Sequence, residues 1–341
     1  MTCINLINNA SFTDNDVRTY ERDGVVCLRG VLSEKEINLL RDGYTAQYNN
    51  RHNSLSSYDF EDMQRQAFSN GSTEFDMGAS ERFDMELLKL ILETDEAARP
   101  IRDMLPDGSD DDAGEFFHDA AGWRFHSEIR EVAFHSKLPE IVSRLMRSNE
   151  TRFWEDTSFG KAPLTPQRTV FHQDWAYFQI DGGQCCVVWI PLDIVDAKNG
   201  RMEYVRGSHL NPKIYAPNVL FAQSASPMSP YDKLPDIENN RSEYDIVAFD
   251  VKPGDVIIHH VMTLHGSCGN ISPDRYRRAF SFRYCGENIR YFDKPGAIEQ
   301  QYLTGDLKNG DRLSGSDYPL VWSKGMGVEI PVDTHSLKPA I

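Results

Sequence analysis

The sequence predicts a mainly β protein, with a sandwich or barrel in its second half and a mostly helical region before it. From about residue 151 onward, short runs rich in Val, Ile, Phe, Tyr and Trp alternate with breaks that carry Gly, Pro, Asn and Asp. Several short strands at such spacing are typical of sandwiches and barrels. Upstream of that point, capping residues and apolar positions at helical spacing indicate helices.

The N-terminal region, about 1–150, is expected to be mostly helical. A short β-type run, "DGVVCLRGV", precedes a helix in "LSEKEINLLRDGY", where Ser33 is the N-cap and Glu36 completes a capping box. Helix is also predicted in "DMELLKLILETDEAARP", ahead of an acidic solvated loop at 106–116, and over residues 121–148. The last of these helices carries an apolar stripe that consists of Val132, Leu138, Ile141, Val142 and Leu145.

The candidate strands of the second half are "CCVVWIPL", "MEYVRGS", "DIVAFDV", "DVIIHHVMTL" and "RAFSFRY". Turn residues separate them, as in "AKNG" and "KPGD". Residues 211–243 form a polar, Pro-rich excursion between strands, and a connection of that length is often functional. We expect one domain over 1–341, in which the N-terminal region lies against a β core at about 151–292 and a C-terminal extension follows at 293–341.

The chain is acidic, with 36 Lys and Arg against 52 Asp and Glu and a formal net charge of -16. This balance argues against nucleic-acid and membrane partners and favours a cationic or zwitterionic small-molecule substrate. No segment reads as a signal peptide or a membrane span. The six cysteines show no C-x-x-C spacing, which predicts reduced thiols and a cytoplasmic location. Monomer and homodimer are both compatible with the sequence.

Metal-competent side chains stand inside the apolar second half. The stretch "FHQDWAYF" places His172 and Asp174 two residues apart, which is the same face if the stretch is a strand. In "DVIIHHVMTLHGSCGN", His265 is expected to close an apolar strand before a Gly turn. Strand parity groups His259 with His265 and puts His260 on the other face, and we interpret His259 and His260 as packing or hydrogen-bonding residues.

His172, Asp174 and His265 supply two imidazoles and one carboxylate, the set of a facial triad that holds non-haem Fe(II) and leaves three positions open. A closed structural zinc site would need a further ligand, and Cys268, beyond the strand end, is not expected to supply it. Two open positions can chelate an oxo acid such as 2-oxoglutarate, and the third can take O2. The distal carboxylate of 2-oxoglutarate then requires a cation.

The run "RYRRAFSFRY" contains the candidates for that cation. Strand parity puts Arg275, Arg277 and Ser281 on one face and Arg278 on the other. Because Arg277 and Ser281 would offer two donors to one carboxylate, Arg277 is the preferred partner of the cosubstrate. Arg275 and Arg278 are expected to belong to a surface cluster.

Four segments in order, "HQD", "NGRMEYVRGSH", "KPGDVIIHHVMTLHGS" and "RRAFSFRY", resemble the phytanoyl-CoA dioxygenase-like family of Fe(II)/2-oxoglutarate oxygenases. "DGVVCLRGVLSEKEI" is similar to the N-terminal segment of the family, so the resemblance covers about residues 16–292. It implies a double-stranded β-helix (jelly-roll, cupin-like) core with helices outside. It also implies Fe(II), 2-oxoglutarate and O2 as cofactors.

Taken residue by residue, the resemblance makes His172, Asp174 and His265 the iron ligands and Arg277 the partner of the distal carboxylate. Three further cosubstrate contacts of the family match Trp189, Ser267 and Thr157. The upstream Lys contact of the family has no counterpart around residues 117–131. Halogenating relatives lack the carboxylate ligand, so the presence of Asp174 favours hydroxylation, or a related oxidation of a C–H bond, with release of succinate and CO2.

Two alternative functions stay open on the same residues. One is a zinc- or manganese-dependent hydrolase or isomerase, which would need neither Arg277 nor an oxo acid, and the other is a cupin-like metabolite-binding module without turnover. Trp175 and Tyr177 follow the ligands and are expected at the rim of the cavity, where the excursion at 211–243 would form the substrate mouth. Negative charge at that mouth would come from Asp232, Asp236 and Glu238.

Overall fold

The computed structural model describes residues 12–51, 115–165, 168–217, 230–294 and 307–325, three short strands between 57 and 84, and residues 297, 303 and 305. Apart from Asp84, which ends the last of these short strands, the helix predicted over 84–100 lies outside this part of the chain, as do most of the acidic loop and the middle of the excursion. In the part described, no helix is both long enough and apolar enough to cross a membrane. The five cysteines described there are free thiols, as predicted.

The first elements described are helix α1 (Asp14–Asp23), strand β1 (Val25–Leu28) and helix α2 (Glu34–Asn49). The predicted capping box is present in α2, where the Ser33 side chain accepts from the Glu36 amide and Glu36 accepts from the Ser33 amide. Gly24 ends α1 at a φ of 75°, a left-handed conformation that glycine adopts without strain. The strand and the helix predicted in this segment are therefore confirmed.

The next elements are β2 (Ser57–Asp59), β3 (Glu74–Asp76), β4 (Arg82–Asp84), β5 (Phe116–Ala120), α3 (Ser127–His135) and α4 (Leu138–Leu145). The prediction of one helix over 121–148 was wrong, because the chain forms two. Ser136 is extended after α3, and Pro139, which has no backbone N–H to donate, stands in the first turn of α4. The predicted apolar stripe is buried along both helices.

The described residues after α4 contain the strands β6 (Glu150–Lys161), β7 (Thr169–His172), β8 (Ile180–Asp181), β9 (Cys185–Pro191), β10 (Met202–Val205), β11 (Ile246–Ala248), β12 (Val256–His260), β13 (His265–Ser267), β14 (Arg277–Gly286), β15 (Arg290–Tyr291) and β16 (Leu320–Ser323). The larger antiparallel sheet has the order β1-β12-β9-β14-β6-β5-β2, and β16 also pairs with β6. The smaller sheet has the order β11-β10-β13-β7. Since β1 and β5 belong to the larger sheet, the N-terminal region supplies strands as well as helices.

The two faces of the larger sheet have different roles. Directly opposed residues of antiparallel neighbours share a face. On the outer face, Phe280 and Phe282 lie in one apolar cluster with helix residues such as Leu40 and Val142. On the inner face, a row across four strands consists of Ile257, Trp189, Ser281 and Thr157. Trp189 belongs to a second cluster that includes Tyr204 of the smaller sheet, so this face looks into the space between the sheets.

Candidate metal centre

The three predicted ligands come together where the two sheets meet. His172 ends β7, Asp174 opens a short 3₁₀ turn (Asp174–Tyr177), and His265 begins β13 directly opposite His172. One ligand atom from each residue lies within 4.8 Å of the others. The imidazole rings of His172 and His265 are 4.2 Å apart between centroids. Two imidazoles and one carboxylate at this separation can hold one metal ion.

Two local details differ from the sequence prediction. Asp174 is not on the strand of His172, because the strand ends at His172 and a turn brings the carboxylate back, with Oδ1 3.4 Å from His172 Nε2. His265 does not close the strand of His259 and His260. That strand, β12, ends at His260 in the larger sheet, and His265 opens β13 in the smaller one. Alternation cannot be counted across such a crossing between sheets.

Backbone carbonyls orient both imidazoles. His172 Nδ1 lies 2.8 Å from the carbonyl oxygen of Val170, and His265 Nδ1 lies 2.9 Å from that of Thr263. Because a carbonyl oxygen only accepts, each Nδ1 carries the proton and donates it. Each Nε2 then keeps its lone pair and points toward Asp174, which is the arrangement typical of metal-binding histidines.

Burial and neighbouring charges favour the protonation states that a metal requires. Burial by itself would raise the pKa of Asp174, but the imidazoles of His265, His172 and His259 hold that pKa well below its usual value. Burial lowers the pKa of His265 well below the usual value for histidine. The Asp174 carboxylate is therefore ionised near neutral pH.

A third histidine contacts the ligand set. His259, buried on β12, places Nε2 3.4 Å from Asp174 Oδ2, on the carboxylate oxygen that does not face His172. Its neighbour His260 points to the other side of the strand and lies 2.8 Å from the carbonyl oxygen of Gly183. Both histidines thus make hydrogen bonds, as the sequence predicted, and His259 makes its bond to a predicted metal ligand.

Arg277 lies in the interior, on the inner face of β14. Its side chain is buried, with Nη2 3.4 Å from Ser267 Oγ and the guanidinium carbon 5.8 Å from the centre of the Trp189 ring. Burial lowers its pKa to about 10, so the guanidinium stays positive. Ser267 is two residues beyond His265 on β13. The predicted cosubstrate residues Arg277, Trp189 and Ser267 are therefore grouped next to the metal ligands.

The other two arginines of the run lie at the surface, as expected. Arg275 forms a two-bond ion pair with Asp196, at 2.9 and 3.0 Å, and Arg278 pairs with Asp193 at 2.7 Å. Both pairs are partly exposed. Strand parity within β14 therefore separated Arg277 from Arg278, whereas Arg275, which parity had placed on the face of Arg277, lies before the strand begins.

Sequence reasoning missed Lys161, the last residue of β6. It is fully buried and stands directly opposite Arg277, and its Nζ donates to Ser267 Oγ at 3.1 Å and to the Cys268 carbonyl at 2.9 Å. Its strand, "ETRFWEDTSFGK", was not among the predicted strands. Alternation along it, from Thr157 to Lys161, is the signal that would have placed the lysine on the inner face.

The remaining predicted contacts lie around this interior. Ser281 stands opposite both Trp189 and Thr157, and Thr157 Oγ1 accepts a 2.5 Å hydrogen bond from Arg283. The ring of Tyr177 meets the His172 imidazole edge-on, with the centroids 5.7 Å apart. Trp175 is as buried as Tyr177 and contacts other residues: Lys294 Nζ stands 2.9 Å from its ring centre, and the ring of Tyr231 packs edge-on at 6.0 Å.

The three acids proposed for the substrate mouth each have a local partner. Asp232 forms an ion pair with Lys213 at 2.9 Å, and Glu238 pairs with Arg241 at 3.0 Å. Asp236 accepts two hydrogen bonds from Asn239 within its own turn. Asp232 and Glu238 are thus each paired with a cation, whereas Asp236 accepts only from neutral donors. The preference for a cationic or zwitterionic substrate stays a prediction.

The fold and the ligand set define a two-sheet β protein with a facial-triad metal site between its sheets. The profile of the phytanoyl-CoA dioxygenase (PhyH) family matches residues 20–279. The chain belongs to this family, as the sequence motifs predicted, and this membership identifies it as an oxidoreductase. Fe(II), 2-oxoglutarate and O2, the expected cofactors, are confirmed at the level of the family.

A curated relative is described as a probable phytanoyl-CoA dioxygenase of Caenorhabditis elegans. The two sequences are 23% identical over 135 residues, which is 39% of this chain and 41% of the relative. The match thus spans less than half of that protein.

Several solved structures share the fold. The carbocyclase SnoK from nogalamycin biosynthesis has a TM-score of 0.58 at 22% identity, over 91% of this chain and 97% of its own. The epimerase SnoN, solved with Fe3+, alpha ketoglutarate and nogalamycin RO, has a TM-score of 0.55 at 19% identity, over 91% and 98%. EctD from S. alaskensis, solved with 2-oxoglutarate and 5-hydroxyectoine, has a TM-score of 0.53 at 17% identity, over 89% of this chain and 86% of its own. These similarities confirm the jelly-roll core.

Proposed function

We propose that this protein is an Fe(II)- and 2-oxoglutarate-dependent dioxygenase that hydroxylates a C–H bond of a small metabolite and releases succinate and CO2. One observation carries the proposal. The His-Asp-His ligand set lies close to a buried arginine, because both contact the three-residue strand β13. His265, a member of the ligand set, is its first residue, and Ser267, which accepts a hydrogen bond from Arg277, is its last. An oxo acid that chelates the metal would have a cation for its other carboxylate nearby.

The donor set fits an iron ion. Nε2 of His172, Nε2 of His265 and the carboxylate of Asp174 would hold it, and their orientation is maintained by the bonds at each Nδ1 and by His259. When bound, Fe(II) supplies the activation of O2 that side chains alone do not provide. The residues of this chain fix the position of the ion and leave part of its coordination shell to the reactants.

The interior beyond the ligands fits the cosubstrate. The Arg277 guanidinium, already buried, would pair with the distal carboxylate of 2-oxoglutarate, and the Ser267 hydroxyl would add a donor. The Trp189 ring lies beside the guanidinium and would cover one side of the carbon chain. Ser281 and the backbone of Thr157, in the same row as Trp189, complete this wall.

The substrate would approach from the side of Tyr177 and Trp175. Tyr177 contacts the ring of a proposed ligand directly, so a molecule near the metal would also meet this phenol. Two solved structures of similar fold are named a carbocyclase and an epimerase, so proteins with this fold catalyse reactions with different outcomes. We favour hydroxylation here because the ligand set retains the carboxylate of Asp174.

The test is O2-dependent formation of succinate from 2-oxoglutarate by the purified protein loaded with Fe(II) without oxygen. We expect slow formation of succinate by the protein without substrate and faster formation when a metabolite extract that contains the substrate is added. His265→Ala and Asp174→Ala should each lose most of this activity. Metal binding without any succinate would overturn the proposal. Turnover of an ester or amide with Zn2+ and no 2-oxoglutarate would instead support the hydrolase alternative.

A further inference from the structure

We infer that Lys161 is a second cationic contact for the distal carboxylate of the cosubstrate, so that this carboxylate binds between two buried cations. The inference rests on the proposed function and adds a residue to its cosubstrate site. It concerns the end of the site that lies farthest from the metal ligands along β13.

The side chains of Lys161 and Arg277 reach the same acceptor, the hydroxyl oxygen of Ser267. They are directly opposed residues of β6 and β14, with exposed fractions of 0% and 2%. Nζ of Lys161 and Nη2 of Arg277 lie 3.1 and 3.4 Å from the same Ser267 hydroxyl oxygen. Two cationic donors therefore converge on one hydroxyl oxygen, and the two oxygens of a carboxylate placed there could accept from both.

Gly200 leaves room at this point. A Cβ built on this residue would lie 3.1 Å from Arg277 Nε and 3.5 Å from Lys161 Cδ. Its φ of 95° is also one that other residues rarely adopt. A side chain here would crowd the Arg277 guanidinium and would lie in ordinary contact with the Lys161 stem, so the glycine keeps the space beside the guanidinium open.

Two buried cations side by side are unfavourable without an anion. Each has lost its hydration, and their like charges repel. Arg277 Nε has no hydrogen-bond partner in the part of the chain that the structure describes, so the guanidinium keeps an unused donor. Burial, followed by the charge of Arg277, lowers the pKa of Lys161. A carboxylate between the two would offset both effects.

The position matches the length of a dicarboxylic oxo acid. Ser267 lies two residues beyond the ligand His265, which is about 7 Å along an extended strand. A five-carbon oxo acid that chelates a metal at the His265 end can place its second carboxylate near Ser267. A three-carbon acid such as pyruvate has no second carboxylate to place there, so the cation pair would select dicarboxylic cosubstrates.

The test compares Lys161→Met, Lys161→Gln and Lys161→Arg with the wild type, by calorimetric titration of the Mn(II)-loaded protein with 2-oxoglutarate. We expect Kd to rise tenfold or more in the Met and Gln variants and to recover to within threefold in Lys161→Arg. Lys198→Met, at an exposed position, is the control and should bind as the wild type does. Binding of 2-oxoglutarate by both uncharged variants within twofold of the wild type would overturn the inference.

Thermal unfolding separates this role from a structural one. Without 2-oxoglutarate, Tm of Lys161→Met should not fall, because the substitution removes a buried charge beside another. The rise in Tm that 2-oxoglutarate causes should shrink. The Gln variant, which keeps a donor for Ser267, provides the same measurement if the Met variant does not fold. If the wild type itself does not bind 2-oxoglutarate, the proposed function fails, whereas unchanged binding in the variants refutes only the role of Lys161.

Discussion

Replacing His259 by Phe tests whether a side chain outside the ligand set holds the metal in place. His259 is buried on β12 and donates from Nε2 to Asp174 Oδ2 at 3.4 Å. Phe keeps an aromatic ring of similar size against Tyr204, whose ring centre is 5.2 Å away, and removes only the polar atoms. We expect Asp174 to lose the partner of one carboxylate oxygen while the core around it remains filled.

The magnitude follows from the role and length of this bond. Loss of a hydrogen-bonding partner of a metal ligand typically lowers metal affinity 10- to 100-fold. That range corresponds to about 1.4–2.7 kcal/mol, since each tenfold change is about 1.4 kcal/mol. A distance of 3.4 Å is long for a hydrogen bond, which places the expectation at the lower end, about tenfold.

The assay is competition for Fe(II) or Co(II) between the protein and a chelator of known affinity, in the absence of oxygen. His260→Phe is the matched control: it is the next residue of the same strand, and it binds the Gly183 carbonyl on the opposite face. We expect the control to keep the wild-type metal affinity. Equal affinities of His259→Phe and the wild type, or an equal loss in both variants, would refute the role assigned to His259.

Two further predictions concern the cosubstrate and the outer face of β6. Arg277→Met should raise KM for 2-oxoglutarate at least tenfold, because a hydrogen bond to a charged group contributes about 1.5–3 kcal/mol. The control Arg275→Met removes a surface ion pair and should leave KM unchanged. A raised KM in Arg275→Met and an unchanged KM in Arg277→Met would show that Arg277 is not the residue that binds the cosubstrate. Asp156→Asn should raise Tm more at pH 8 than at pH 5. Burial raises the pKa of Asp156 to about 7, so the wild type loses stability as the pH rises from the pKa of the unfolded state toward 7. Thermal unfolding of the variant and the wild type at both pH values measures the difference in Tm, and an equal rise in Tm at pH 5 and pH 8 would contradict the prediction.

Features that depend only on neighbouring residues could be predicted from the sequence alone. The capping box of Ser33 and Glu36 forms within one turn, so its two members identify the start of α2 wherever the helix lies. Alternation within a single strand likewise separated Arg277 from Arg278, because both belong to β14 and no turn intervenes. The types and order of the candidate ligands, with the motifs around them, were sufficient to predict the family.

Contacts between residues far apart in the sequence depend on how the strands pair and could not be predicted in this way. Asp174 reaches His172 through a turn, and His265 lies opposite His172 because the chain passes from the larger sheet to the smaller one before it. Lys161 meets Arg277 only because β6 pairs with β14, more than a hundred residues away along the chain. Local chemistry sets the direction of a side chain within its own element, but strand pairing and sheet crossing set its neighbours, and these depend on the packing of the whole core.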